Sequence, residues 1–209
     1  MTLRQSSGAS LMVALIMLVM MSAGAISLVR AISTGRMMAA NLAFRQAAVL
    51  ASDAGSEAAI AWLSNEVSSA RIFVDQPDAG YYANVPDGLD ITGMGSTGSA
   101  VAIDWDDDRC KAAASTACVK AAPALPADSA GNVIRYTIHR LCRTDGSPQA
   151  GANSCLVAGG SAAASSKRGN VSYGSSSRFG VSMGVYYRIT VRVRGPRNTV
   201  VFTQTLVHF

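Results

Sequence analysis

Hydrophobic and polar positions divide the chain into an apolar run, a helical segment and a region of alternating strands. From Ala9 to Val29 no residue is charged, and Leu, Met, Val and Ile dominate. As a helix this run would be about 30 Å long, which matches the hydrocarbon core of a membrane. Its serines can donate hydrogen bonds to their own helix. The pattern predicts a helix that spans a membrane.

Three interpretations of this run are open on the local sequence. The first is a permanent anchor. The second is a secretory signal, because Ala23-Gly24-Ala25 fits the cleavage rule and the mature chain would then begin at Ile26. The third is a short leader that ends at Gly8, so that cleavage removes the leader and retains the apolar run.

The residues after the run favour its retention. Residues 30–73 contain no proline and are rich in alanine. Apolar residues recur three or four positions apart, which predicts an amphipathic helix that continues the membrane helix. The predicted stripe comprises Leu42, Ala43, Ala47, Leu50, Ala54, Ala58, Ala61 and Leu63.

The last third of the chain alternates in the manner of β-strands. Residues 132–143 predict one strand, whose better core face carries Ile134, Tyr136, Ile138, Arg140 and Cys142. Residues 187–194 alternate apolar with basic or polar side chains, and a turn at 195–198 leads into a returning strand at 199–209, which predicts a hairpin. Together with a short strand at 100–105, these segments predict an antiparallel sheet of about four strands.

The predicted architecture is an α+β fold, with a long N-terminal helix packed on a C-terminal antiparallel sheet. We divide the chain into a leader, a membrane helix, an amphipathic continuation and a β-rich head, at residues 1–8, 9–29, 30–75 and 76–209 respectively.

Charge is unevenly distributed along the 209 residues, whose net charge is +5. Eleven acids and one base lie between Asp53 and Asp108, whereas no acid follows Asp145. The basic C-terminal strands are either a solvated face or an interaction face, and a rival hypothesis is that they bind DNA. The candidate basic face comprises Arg178, Arg188, Arg192, Arg194 and Arg197.

The four cysteines all lie beyond the apolar run. An even number of cysteines on the exported side of a membrane segment predicts disulfides in an oxidising compartment. Three pairings are possible, and short loops favour Cys110 with Cys118 and Cys142 with Cys155.

No motif predicts an enzyme. Residues 93–98 match a dinucleotide-binding pattern, but a strand follows where a helix is required. Asp104, Asp106 and Asp108 resemble the start of a calcium loop, but Arg109 replaces the turn glycine and no closing glutamate follows. An acidic turn that is solvated or pairs with the basic strands is favoured instead. We predict no catalytic residue, no metal and no cofactor.

Three segments carry a resemblance to a known family. They are GASLMVAL at Gly8–Leu15, GRMMAANLAFRQAA at Gly35–Ala48 and YYRITVRVRGPRNTV at Tyr186–Val200. As a set they resemble the PilX family of type IV pilus minor pilins, over about the first 60 and the last 25 residues.

The resemblance implies cleavage by prepilin peptidase after Gly8 and N-methylation of Ala9. Val13 stands where major pilins carry a glutamate that pairs with the amine of a neighbouring subunit. The leader also departs from many pilins, because a serine and not a basic residue precedes Gly8. A subunit without the glutamate fits a position at the filament tip or in a priming complex.

The resemblance further implies a non-enzymatic structural protein. It would reside in the inner membrane with its head in the periplasm and then enter the pilus at the cell surface. Its implied partners are other minor pilins, the assembly machinery and a tip adhesin. The alternative is an anchored or secreted periplasmic protein unrelated to pili.

Overall fold

The computed structural model describes residues 7–94, 101–108, 110, 118–150, 153–158 and 184–209. The chain divides into two compact units, Met1–Gln46 and Ala47–Phe209. Helix α1 runs from Ser7 to Glu66, so it supplies the described part of the first unit and the first element of the second. Uninterrupted helix is the expected result of an alanine-rich segment without proline.

Helix α1 ends earlier than the sequence predicted. It stops at Glu66 and is followed by a short 3₁₀ turn at Ala70–Phe73. The Glu66 carboxylate accepts hydrogen bonds from Ser69 Oγ at 2.8 Å and from the Arg71 guanidinium at 3.2 Å. These local contacts compete with helix continuation, because the side chains hold the segment in a tighter turn.

The main sheet has four strands in the order β1-β4-β5-β6. β4 (Val133–Arg140), β5 (Tyr186–Arg194) and β6 (Val200–His208) are antiparallel, which confirms the predicted strand and hairpin. β1 (Tyr81–Tyr82) pairs in parallel with β4, so the sheet is mixed. The sequence predicted no strand at these two residues.

A second, two-stranded sheet pairs β2 (Ala102–Asp104) with β3 (Cys118–Lys120) in parallel. The prediction that residues 100–105 join the main sheet is therefore wrong for the described strand. The Cys110–Cys118 disulfide joins the start of β3 to the turn that follows β2, which favours pairing between these two strands. The second bridge joins Cys142 to Cys155. Both pairings are those that short loops favoured.

Both faces of the main sheet are covered. On one face Ile134, Ile138 and Val191 are buried against the C-terminal part of α1. On the other, Thr137 and His139 are fully buried, although that side of the strand was not predicted to be core. An apolar cluster that includes Tyr82, Ile103, Trp105 and Phe202 lies on this second face. Because both faces of the sheet are covered, alternation of apolar and polar residues along a strand does not show which side chains are buried.

The buried stripe of α1 in the second unit consists mainly of small residues. Its members are Ala48, Ser52, Gly55, Ala59 and Leu63. The predicted stripe is right at Leu63, which is buried, and is wrong at Leu50, which is 71% exposed. The predicted stripe is also wrong at other exposed members, namely Leu42, Ala43, Ala54 and Ala61, whereas Ala47 and Ala58 are partly buried. The reason is distance: a Cβ on Gly55 would lie 2.6 Å from Val191 Cγ1. The helix approaches the sheet so closely that large side chains must point outward.

Candidate functional site: apolar helix surface and basic strand face

The N-terminal part of α1 presents an apolar surface. Leu11, Val13 and Met20 are 65%, 53% and 71% exposed, and comparable values extend to Met38. Ser22 Oγ and Ser27 Oγ donate to the carbonyls of Val19 and Ala23, as the sequence predicted. Polar groups are thus satisfied within the helix, which suits a lipid environment. Among the described residues this is the one candidate membrane span, with a mean hydropathy of 2.4.

The residues predicted for processing lie at the beginning of this helix. Gly8 and Ala9 are in its first turn, and residues 1–6 of the predicted leader lie outside the described residues. Val13 lies on its exposed surface. No Asp or Glu precedes Asp53 in the sequence, so the apolar run contains no carboxylate that could pair with an amine.

The structure places three of the predicted basic residues on one face of β5. Arg188, Arg192 and Arg194 lie opposite His139, Arg135 and Val133 of β4 in the antiparallel register. Arg197 lies in the turn before β6 and has a positive φ of 58°. Arg178 lies outside the described residues.

Arg192 is engaged by the acidic turn after β2. Its guanidinium donates two hydrogen bonds to the Asp106 carboxylate, at 2.8 and 2.6 Å, and lies 5.7 Å from the centre of the Trp105 ring. Arg194 donates to the same carboxylate at 3.1 Å. Arg192 is only 8% exposed, so this part of the predicted basic face is an internal contact and does not form a free phosphate-binding surface.

A second ion pair repeats the arrangement one residue later. Arg135 of β4 donates to the Asp107 carboxylate at 2.6 Å. Hydrogen bonds from Arg192 and Arg135 lower the pKa of the Asp106 and Asp107 carboxyls, respectively. The acidic turn therefore pairs with the basic strands, which is one of the two outcomes that the sequence favoured over a calcium loop.

Asp104 shapes the acidic turn. It is 1% exposed, and its carboxylate accepts backbone N–H donors from Asp106, Asp108 and Cys110 at 3.3, 3.1 and 2.8 Å. The sulfurs of Cys110 and Cys118 lie near this carboxylate but are bonded to each other. A metal ligand requires a thiolate, so these residues serve the turn and the disulfide.

Removing the Asp106 carboxylate is expected to destabilise the head by about 2 kcal/mol. Asp106→Ala leaves the guanidinium of Arg192 buried without a carboxylate to pair with its charge. The loss is smaller than for a fully buried ion pair, because Asp106 is half-exposed and solvent screens the interaction. Urea unfolding of the two proteins measures the difference. Asp108→Ala alters an exposed carboxylate in the same turn and should change stability by less than about 0.5 kcal/mol. Equal effects of the two variants would contradict the pairing.

His139 is a buried residue whose importance the sequence did not reveal. Its ring is 0% exposed and stacks on Tyr82 with centroids 5.3 Å apart. Neither ring nitrogen has a hydrogen-bond partner among the described residues. Burial, followed by the charge of Arg188, lowers the pKa of His139 to about 3. The imidazole is therefore neutral in the folded head.

Lowering the pH from 7 to 5 is expected to cost about 2 kcal/mol of unfolding free energy through His139. The unfolded chain binds a proton near pH 6.5 and the folded chain near 3, so this stability is present above pH 6.5 and is lost as the pH falls towards 3. Urea unfolding at both pH values measures the loss. His139→Phe keeps a ring against Tyr82 and should flatten the dependence; an unchanged slope would contradict this origin.

Sequence and geometry together leave two features that bear on function: the exposed apolar helix and the partly covered basic face. The apolar part of the helix is exposed along its length, as the sequence predicted. The basic face offers fewer unpaired arginines than predicted, because Arg135, Arg192 and Arg194 form ion pairs with the acidic turn. No protein-family model, curated protein or solved structure matches this chain.

Proposed function

We propose that this chain is a PilX-like minor pilin that primes assembly of a type IV pilus or occupies its tip. The observation that carries the proposal is one uninterrupted helix, Ser7–Glu66, that begins apolar and exposed and ends packed on a mixed sheet. Cleavage of a signal peptide after Ala25 would cut this helix within its length and remove its apolar first part. Cleavage at Gly8 leaves the helix whole, so one element can serve as a membrane anchor and then as part of a filament.

The two faces of α1 in the second unit support an assembly role. The face on the sheet carries small residues, whereas Val49 and Leu50 on the outside are 48% and 71% exposed. Large apolar side chains on an otherwise solvated helix indicate a surface that packs against other helices. The partners of such a surface would be the helices of other pilins, and an adhesin would contact the head.

The absence of a carboxylate near the N-terminus supports a terminal position in the filament. Cleavage after Gly8 would create a charged amine at Ala9, which is costly to bury in an apolar environment unless a carboxylate pairs with it. This subunit has Val13 at the position of the family's glutamate, and so it cannot neutralise the amine of a neighbour. It is best accommodated where no neighbour requires that contact, which is the tip or a priming complex.

The two disulfides support an exported head. Cys110–Cys118 and Cys142–Cys155 both lie in the second unit, on the far side of the candidate membrane span in sequence. Disulfides persist in oxidising compartments such as the periplasm. The inner membrane, with the head in the periplasm, is therefore the proposed location before assembly.

The N-terminus of the membrane-extracted protein tests the proposal. Coexpression with an active prepilin peptidase should yield a chain that begins with N-methyl-Ala9, as measured by intact mass and N-terminal sequencing. Gly8→Leu should abolish this product, because the peptidase cuts after a glycine. The matched control Ala25→Leu blocks only a signal-peptidase site and should leave processing at Gly8 unchanged. A mature chain that begins at Ile26, or an intact Met1 with an active peptidase, would overturn the proposal.

A further inference from the structure

The outer edge of β6 has no strand beside it in the described part of the chain. β6 is the last strand in the sheet order, and its nine residues pair with β5 alone. The pairing runs without a bulge from Val200 opposite Arg194 to His208 opposite Tyr186. The edge is therefore long and regular, and alternate residues of β6 point their backbone N–H and C=O groups away from the sheet.

The hydrogen-bonding pattern identifies those backbone groups. Gly195 N–H donates to Thr199 C=O at 2.8 Å, and Phe209 N–H donates to Val185 C=O at 3.4 Å. Antiparallel pairs alternate, so odd-numbered residues of β6 bond to β5 and even-numbered residues point their N–H and C=O outward. The outward groups belong to Val200, Phe202, Gln204, Leu206 and His208.

The side chains along this edge are neutral and largely apolar. Thr199–Phe209 contains no Lys, Arg, Asp, Glu or Pro. Val200 and Leu206 are 42% and 60% exposed. Soluble proteins usually protect an edge with lysine, proline or a bulge, and β6 has none of these. Such an edge accepts a further strand readily.

We propose that the outer edge of β6 binds an extended, uncharged segment of a partner polypeptide as an additional antiparallel strand. Backbone hydrogen bonds would supply affinity, and alternate side chains would supply specificity. The segment must be rich in β-branched and aromatic residues, because its neighbours would be Phe202 and Leu206 on one face and Val201 and Val207 on the other. A charged strand would lie against these apolar groups without a counter-ion. The inference goes beyond the minor-pilin proposal, because it requires only the head.

A peptide that copies Thr199–Phe209 is the probe. Paired antiparallel with Gln204 opposite Gln204, it brings Val201 to Val207 and Phe202 to Leu206. N-methyl groups on the peptide's odd-numbered amides block one of its edges, which limits self-association to dimers and leaves the pairing edge unmodified. Added to the full chain in detergent micelles, it should bind saturably and slow hydrogen exchange at the amides of Val200, Phe202, Gln204, Leu206 and His208.

Variants at Gln204 test the edge itself. Gln204→Pro deletes one outward N–H without altering the backbone bonds to β5, and it should weaken peptide binding about fivefold, the effect of one net hydrogen bond. Proline and alanine both remove the side-chain hydrogen bond that Gln204 Nε2 donates to Thr190 Oγ1 at 3.2 Å, so the two variants differ in the edge amide. Gln204→Ala keeps the N–H and should stay within about twofold. Gln204→Lys should bind a peptide with Glu at the central position more tightly than one with Lys, because these side chains lie directly opposite.

Three results would overturn the inference. One is no binding at millimolar peptide. Another is an equal loss of binding in Gln204→Pro and Gln204→Ala, which would show that the edge amide is not used. The last is slow exchange of the five amides in the free protein, which would show that the chain's own residues already occupy the edge.

Discussion

Gly55→Leu is expected to lower the free energy of unfolding of the head by about 4 kcal/mol. A Cβ at this position would lie 2.6 Å from Val191 Cγ1 and 2.8 Å from Ile134 Cγ2. Both side chains are in the centre of the sheet and nearly or fully buried, so they have no space into which to retreat. The helix must separate from the sheet or the core must distort.

Gly55→Ala separates the two opposing effects of the exchange. Alanine raises helix propensity by about 1 kcal/mol but introduces the same close contacts, so a net loss of about 1 to 2 kcal/mol is expected. Urea unfolding of the full chain in micelles, followed by the fluorescence of Trp62 and Trp105, measures both variants. Gly35→Leu is the matched control, because nothing lies within 4 Å of a Cβ there. A stability of Gly55→Leu equal to that of Gly35→Leu would refute the close helix–sheet contact.

Arg140→Ala is expected to destabilise the head by about 3 kcal/mol. Arg140 is 0% exposed, and its Nε donates to the Ala83 carbonyl at 2.9 Å while Nη2 donates to the Gly146 carbonyl at 2.7 Å. Its guanidinium carbon lies 5.9 Å from the centre of the Phe73 ring. Alanine would leave a cavity and two carbonyls without donors. No carboxylate of the described residues is within ion-pair distance, so backbone oxygens and an aromatic ring hold the charge.

Arg140→Lys distinguishes geometry from charge. Lysine retains the charge but concentrates it at one nitrogen, which cannot reach carbonyls on two different loops at once. It should therefore recover little of the lost stability. Arg143→Ala changes an exposed arginine three residues away and should cost less than about 0.5 kcal/mol in the same urea experiment. Full recovery by lysine would show that charge alone is required.

The sequence predicted the elements that local patterns specify. The long helix follows from an alanine-rich segment without proline, and the hairpin follows from the alternation at 187–194 and the turn at 195–198. The disulfide pairing follows from loop length. Each of these signals depends on residues that are close in sequence, so the sequence alone carries it.

The wrong predictions concern contacts between segments that are far apart in the sequence. β1 is a strand of two residues, too short for any periodicity, and it forms only because β4 offers it an edge. The buried face of α1 was predicted wrongly because the prediction relied on hydrophobicity, which favours Leu50. The close approach of the helix to the sheet requires small residues, and Gly55 and Ala59 meet that requirement. The full burial of His139 depends on Tyr82 and on an apolar cluster that alternation along β4 does not encode.

The candidate site shows the same division. The charge distribution left two outcomes for the acidic turn, solvation or pairing with the basic strands, and Arg192 and Arg135 pair with Asp106 and Asp107. Which arginine would be buried was not predictable, because the bidentate contact joins residues 86 positions apart. The same contact removes Arg192 from any DNA-binding surface.

If the head is exported as proposed, the order of these parts along the chain determines the order in which they mature. The acidic turn and both disulfides precede the β5–β6 hairpin in sequence. A chain that crosses a membrane from its N-terminus delivers all four cysteines to the oxidising side before the last two strands. Both cross-links can therefore close before Arg192 emerges, and the hairpin then adds to a framework that is already covalently fixed. In that order the docking of the final strands, and not oxidation, is the last step in forming a stable head.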